Sequence, residues 1–161
     1  MPYQHTEQRR LTCAKSWRKH HPYTPPPSLP NERWLPVVGF ERLYEVSSFG
    51  RVRRLGGAAG AQPGRILKPW VHRSGYIYVT MCANNKARGF RLGRVVAAAF
   101  HGAPPSGKHE VNHKNGRKDD NAAANLEWVT SSENQIHAIA TGLQKPKRRH
   151  TRSAPTGKLL A

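Results

Sequence analysis

The stretch EVNHKNGRKDDNAAANLEWVTSSENQIH, residues 110–137, decides how the rest of the chain is read. Val111, Asn112 and His113 read as the end of a strand, and Asn115-Gly116 is a turn dipeptide because both residues tolerate positive φ. A polar loop comes next, then Asn125-Leu126-Glu127-Trp128-Val129 as a second short strand. Thr130-Ser131-Ser132-Glu133 fits a capping box, in which the Thr130 hydroxyl and the Glu133 carboxylate each satisfy an orphan backbone donor. The helix that starts there carries Asn134 and His137 on one face, since residues three apart are neighbours. Gly142 is its stop. Strand, loop, strand, helix is an order that lets His113, Asn134 and His137 converge.

Outward from this stretch, Arg94 to Phe100 reads as a short helix with Val95, Val96, Ala99 and Phe100 as its apolar stripe. Before it, Ile66-Leu67-Lys68 and Tyr76 to Met81 read as strands, with Ser74-Gly75 as a turn. Tyr76, Tyr78 and Thr80 share one face of the second, and Ile77, Val79 and Met81 the other. Asn84 to Gly89 is a polar turn, after which Phe90 to Leu92 pairs back. Two alternating runs around Phe49-Gly50 predict a β-hairpin over residues 34–55. Arg51 and Arg53 share a face of its second strand while Val52 points the other way, and Arg54 comes directly after. Trp34, Phe40 and Tyr44 are expected in the core.

Residues 56–64, GGAAGAQPG, read as a small-residue linker that lets the hairpin move relative to the domain after it. Residues 1–33 mix Arg, Lys, His and Pro, which predicts a disordered basic arm with polyproline-II character. Residues 143–161 lack apolar periodicity and read as a disordered basic tail that adds affinity for a polyanion without sequence readout.

The 161 residues suit one compact domain with appendages, and their formal net charge of +18 predicts a polyanionic partner. Mean hydropathy is −0.73 and the sequence has no long apolar run, so neither a membrane span nor a signal peptide is expected. Cys13 and Cys82 form neither a metal pattern nor a disulfide framework, which argues against a structural zinc module and points to a reducing cytoplasm.

The run VNHKNGRKDDNAAANLEWVTSSEN resembles the HNH nuclease motif of phage-type homing endonucleases, through Asn112-His113, Asn115-Gly116, Asp120-Asn121, Asn125 to Trp128 and Glu133-Asn134. The stretch WLPVVGFERLYEVSSFGRVRRL resembles the NUMOD-type module that precedes such domains. The resemblance implies an α+β fold: a ββα-metal core over residues 65–142, preceded by a small antiparallel β module over residues 34–55. It also implies cleavage of double-stranded DNA with one divalent metal ion, Mg²⁺ or Mn²⁺, and no small-molecule cofactor. Nothing in it fixes an oligomeric state.

On this resemblance His113 is the general base, because a neutral imidazole accepts a proton near neutral pH. Asn125 belongs to the same catalytic pattern as the tie between the loop and the site backbone. Asn112 and Asn134 offer carbonyl oxygens to a hard cation. His137, one helical turn further, has a metal, a phosphate or solvent as alternatives. Two neutral amides bring the ion little charge. Adjacent Asn112 and His113 need a bend or bulge to serve one centre. Arg51, Arg53, Arg54, Lys114, Arg117 and Lys118 are candidate DNA contacts, and Arg94 either touches phosphate or forms a salt bridge. The family carries His before Arg in this helix, where Gly93 precedes Arg94 here; that departure leaves the catalytic run intact. Asp119 and Asp120 read as solvated carboxylates. The alternatives are a DNA-binding protein with a retained but silent HNH fold and a nuclease serving phage DNA processing.

Overall fold

The computed structural model describes residues 27–56 and 62–144. Most of the expected arm and tail, and the middle of the expected linker, lie outside the described residues. Strands β1 (Trp34–Pro36), β2 (Tyr44–Ser47) and β3 (Val52–Arg54) form an antiparallel sheet in that order. A second antiparallel sheet joins β4 (Trp70–Val71), β5 (Ile77–Ala83) and β6 (Lys86–Arg91). Helix α1 (Leu92–Phe100) continues directly from β6. Strands β7 (His109–His113) and β8 (Leu126–Thr130) then pair antiparallel across the long polar loop, and α2 (Ser131–Ala140) completes a ββα unit.

Local chemistry accounts for these boundaries. The α2 capping box is formed: the Thr130 hydroxyl accepts from the Glu133 amide at 3.3 Å, and the Glu133 carboxylate accepts from the Thr130 amide at 2.7 Å. Asn84 and Asn85 both take positive φ, which closes β5 onto β6 in two residues. The second strand of this hairpin therefore starts at Lys86, inside the segment that its composition marks as a polar turn. Ile66 to Lys68 form no strand; Ile66 makes a single bridge to Arg53. Helix α1 begins at Leu92, two residues before the expected start.

One core holds all of this together. Tyr44, Val46 and Val52 of the first sheet, Val79 and Met81 of β5, Leu92, Val95, Val96 and Ala97 of α1, and Val111 and Leu126 of the ββα unit are buried in one cluster. Each such aliphatic side chain contributes about 1.5–3 kcal/mol when fully buried. The Tyr44 hydroxyl also accepts from the Cys82 amide at 2.9 Å, joining the two larger sheets. Just beyond the small-residue stretch, the Gly64 amide donates to the Arg54 carbonyl at 2.6 Å and the Leu67 amide to the Val52 carbonyl at 2.8 Å. The hairpin expected to move on a linker is thus the third wall of a shared core.

Candidate active site

Strand β7 ends at His113, which is 5% exposed. Its Nε2 lies 3.3 Å from Oδ1 of Asn121, a residue itself 5% exposed. The Asn121 amide nitrogen donates to the carbonyls of Asp119 at 3.1 Å and Lys118 at 3.4 Å, which turns its oxygen toward the imidazole. An oxygen accepts only from N–H, so Nε2 carries the proton and Nδ1 holds the lone pair. Among the described residues Nδ1 has no hydrogen-bond partner. Burial lowers the His113 pKa below its usual value of 6.5, against the raising effect of the Asn121 bond, and the Arg91 charge lowers it further. The neutral, proton-accepting form is therefore the resting one near neutral pH. Asn121 stands inside the HNH-like run, where the sequence gives it no particular role; a buried polar side chain eight residues from His113 is visible only once the loop is folded.

Gly93 lies against this pair. A Cβ there would meet Asn121 Oδ1 at 3.0 Å and His113 Nε2 at 3.6 Å. The departure at Gly93 therefore does touch the catalytic run: any larger residue requires Asn121 to give way. A second glycine supports the loop from below. Gly50 has φ +77°, and a Cβ there would meet the Asn121 carbonyl oxygen at 3.0 Å.

Asn112 leaves β7 on the opposite face. The β7–β8 register runs unbroken through Asn112–Glu127 and His113–Leu126, so the expected bulge is absent. The Asn112 amide nitrogen donates to Glu127 at 2.9 Å, and that of Asn134 donates to Glu110 at 2.9 Å. Each carboxylate holds an N–H and leaves the amide oxygen as the remaining donor atom. The region therefore carries two carboxylates, where the resemblance implies only neutral amides. Glu110 and Asn112 are two apart on one strand, and that spacing is the signal the sequence offers. An all-oxygen donor set of two amides and two carboxylates fits a hard divalent cation. Among the described residues no three or more His, Cys, Asp or Glu side chains are grouped to bind a metal on their own.

His137 stands on the same helix as Asn134. Its Nε2 lies 3.0 Å from the Lys114 carbonyl, so it donates there and ties α2 to the end of β7. That bond fixes the Nε2–H tautomer and leaves the Nδ1 lone pair of His137 free. Asn125 accepts from the Asn115 amide at 3.0 Å, and donates to Asn115 Oδ1 at 3.0 Å and the Asp120 carbonyl at 2.9 Å. It closes the loop from both ends. Asp120 accepts from the Asn115 side chain at 2.7 Å, so it is part of the loop's frame as well as solvated.

The expected DNA-contacting cations divide. Arg51 pairs with Glu32 and also donates to the Pro27 carbonyl at 3.2 Å. Arg53 pairs with Glu45 at 2.6 Å, and its guanidinium sits 4.2 Å from the Trp34 ring centroid. Arg54 donates to the Gly56 carbonyl at 3.0 Å and the Tyr44 hydroxyl at 3.1 Å. All three have internal partners, so a DNA contact by any of them competes with a bond inside the fold. Arg94 forms no salt bridge among the described residues and lies 5.3 Å from the Trp128 ring centroid. Arg117 pairs with Asp119 at 3.2 Å on an exposed surface. Lys114 donates to the Ala124 carbonyl at 3.2 Å, and Lys118 to the Ser74 carbonyl at 3.0 Å.

Comparison with known proteins divides the chain in the same way. Residues 32–82 match the NUMOD4 motif and residues 91–136 match the HNH endonuclease family. The chain thus carries a NUMOD4 motif joined to an HNH endonuclease domain, and its homologues are HNH endonucleases. Two of them, from Acanthamoeba polyphaga mimivirus, are 35% and 39% identical over 113 and 117 residues. These alignments cover 70% of this chain but only 32% and 27% of the relatives, so the chain spans about a third of their length. The DNA endonuclease I-HmuI of Bacillus phage SP01 is 31% identical over 109 residues, covering 68% of this chain and 59% of that protein. A solved structure described as DNA binding and cleavage by the HNH homing endonuclease I-HmuI superposes with a TM-score of 0.61 at 30% identity, over 71% of this chain and 62% of that one. Among the described residues no helix is long and apolar enough to cross a membrane.

Proposed function

We propose that the chain is a metal-dependent endonuclease that hydrolyses phosphodiester bonds of double-stranded DNA. The observation that carries the reading is His113, buried, fixed as the Nε2–H tautomer by Asn121, with Nδ1 left to accept a proton. In this reading Nδ1 takes the proton of the attacking water, and Asn121 holds the ring so that the lone pair faces it. Asn125 keeps the loop that carries Asn121 closed. Asn112 and Asn134 would hold the divalent ion through their amide oxygens, with Glu110 and Glu127 orienting those amides and adding negative charge. Since Asn112 and His113 leave β7 on opposite faces, the scissile phosphate would meet both at the strand's end, where β7 stops at His113. When bound, the ion supplies positive charge to the phosphate and to the departing 3′ oxygen. Mg²⁺ suits these oxygen donors best, and Mn²⁺ is the natural substitute.

Similarity to I-HmuI supports a homing nuclease of a phage or mobile element over one serving phage DNA processing. The test is incubation of supercoiled plasmid with the protein and Mg²⁺ or Mn²⁺, with an EDTA control. Nicked or linear product that EDTA abolishes supports the enzyme. A second reading, a DNA-binding protein with a silent HNH fold, draws on the low exposure of Asn112 and His113, 4% and 5%. Intact plasmid together with a gel shift would favour it.

A further inference from the structure

Arg91 is the last residue of β6, opposite Tyr78, and leads into α1. The centre of its guanidinium lies 3.3 Å from the ring centroid of Tyr76. Lys118 Nζ lies 4.6 Å from the same centroid. The Tyr76 ring in turn stands 6.0 Å from the His113 ring, centroid to centroid. Two cations and the candidate base thus surround one aromatic side chain. The Arg91 Nε is buried with no hydrogen-bond partner, the single such side-chain atom among the described residues. No carboxylate lies within ion-pair distance of Arg91 or Lys118 among those residues, in contrast to Arg51, Arg53 and Arg117.

This arrangement has a direct chemical reading. A guanidinium stacks on an aromatic ring through its face and offers its N–H donors in its own plane as a fork for phosphate or carboxylate oxygens. Tyr76 holds Arg91 in place without using those donors. A purely structural arginine would find acceptors for them, because a buried unpaired donor is costly. Two cations on one ring also concentrate positive charge at this surface, which a nearby anion would offset. The anion available to a DNA-binding surface beside His113 is a backbone phosphate.

We propose that Arg91 and Lys118, mounted on Tyr76, form a phosphodiester-binding subsite that seats the DNA backbone next to His113. The proposal rests on the nuclease reading for its role in cleavage, but its binding arm can be tested without catalysis. The full-length chain and its Arg91→Gln, Arg91→Lys and Lys118→Gln variants are titrated with a labelled duplex in EDTA across a KCl series. Supercoiled plasmid cleavage with Mg²⁺ and a thermal melt are measured for each.

Arg91→Gln is expected to flatten the log–log salt dependence of binding by about one unit, as for one lost phosphate contact. It should lower the cleavage rate by roughly 10- to 100-fold, the range of one charged hydrogen bond. Arg91→Lys should keep the salt slope and lose part of the cleavage, because it retains the charge without the fork. A folded Arg91→Gln variant with wild-type slope and cleavage overturns the proposal, as does an equal loss of slope in Arg91→Lys. If Arg91→Gln does not fold, Lys118→Gln decides: an unchanged slope overturns the subsite and a flattened one supports it. Wild-type protein that leaves plasmid intact would remove the nuclease reading, while a flattened slope in the variants would still support the phosphate subsite.

Discussion

The arginines of β3 and the cations around Tyr76 have the same formal charge and opposite circumstances. Arg51, Arg53 and Arg54 are each met by a carboxylate, a carbonyl or a hydroxyl of their own sheet or its flanks. Among the described residues, Arg91 and Lys118 meet an aromatic face and no carboxylate within ion-pair distance; Lys118 shares one bond with the Ser74 carbonyl, and Arg91 Nε has no acceptor at all. The first group holds the protein together; the second leaves positive charge beside the candidate base. A net charge of +18 therefore overstates what a polyanion can use, and the geometry says which part is available.

The strongest contrast should appear in catalysis. Replacing His113 by Ala should lower plasmid cleavage by roughly 10²- to 10⁴-fold with little change in duplex affinity, the usual range for a general base. Wild-type rates in that variant would place the chemistry elsewhere. Arg53→Ala should cleave within a few-fold of wild type in the same assay.

The next effect belongs to stability. Arg51→Ala leaves the fully covered Glu32 side chain without its cation, 0% exposed against 24% for Arg51, and should cost about 2–4 kcal/mol by urea denaturation. A neutral result would mean that the pair is incidental and the two regions are not so different. Acid titration sharpens the point. The bond to Arg51 lowers the Glu32 pKa from 4.5 to about 2, so the folded protein holds that proton less tightly than the unfolded chain. The stabilisation is complete above 4.5 and is lost as pH falls through about 2. In Arg51→Ala this component of the acid transition should shrink, since the Leu29 amide and Ser47 still lower the Glu32 pKa but the largest cause is gone.

Asn125→Ala should cost about 1–3 kcal/mol, because it removes three hydrogen bonds of about 0.5–1.5 kcal/mol each from a partly exposed loop. Faster hydrogen exchange at the Asn115 amide, which Asn125 Oδ1 accepts, would mark the loosened loop; unaltered exchange would show that Asp120 alone holds it. The smallest expected effect is the most direct test of the comparison. Arg53→Ala should leave the salt slope of duplex binding unchanged, where a free phosphate contact would remove about one unit. A flattened slope would show that the Glu45 pair opens for DNA.

Much of the fold is legible in local sequence. Thr130 and Glu133 announce the start of α2, Gly142 its end, and the alternation of Tyr78 and Thr80 with Val79 and Met81 the two faces of β5. These depend on hydrogen bonds and periodicities within a few residues. Local reading fails where partners lie far apart. Ile66 to Lys68 have the composition of a strand but find only one bridge to β3, and Lys86 joins a hairpin whose turn is just two asparagines long.

The site divides in the same way. By itself the sequence determined the ββα order, the presence of His113, Asn112 and Asn134 in it, and the excess of positive charge. Residue type and local spacing suffice for these. Only the tertiary structure decided that Asn121 sets the His113 tautomer, that Glu110 and Glu127 hold the Asn134 and Asn112 amides, and that His137 bonds to the Lys114 carbonyl. It alone decided which cations lack an internal carboxylate. Each of these depends on side chains from different strands, loops and helices meeting at hydrogen-bond distance, and a hydrogen bond's partner is chosen by where packing of the shared core leaves the atoms.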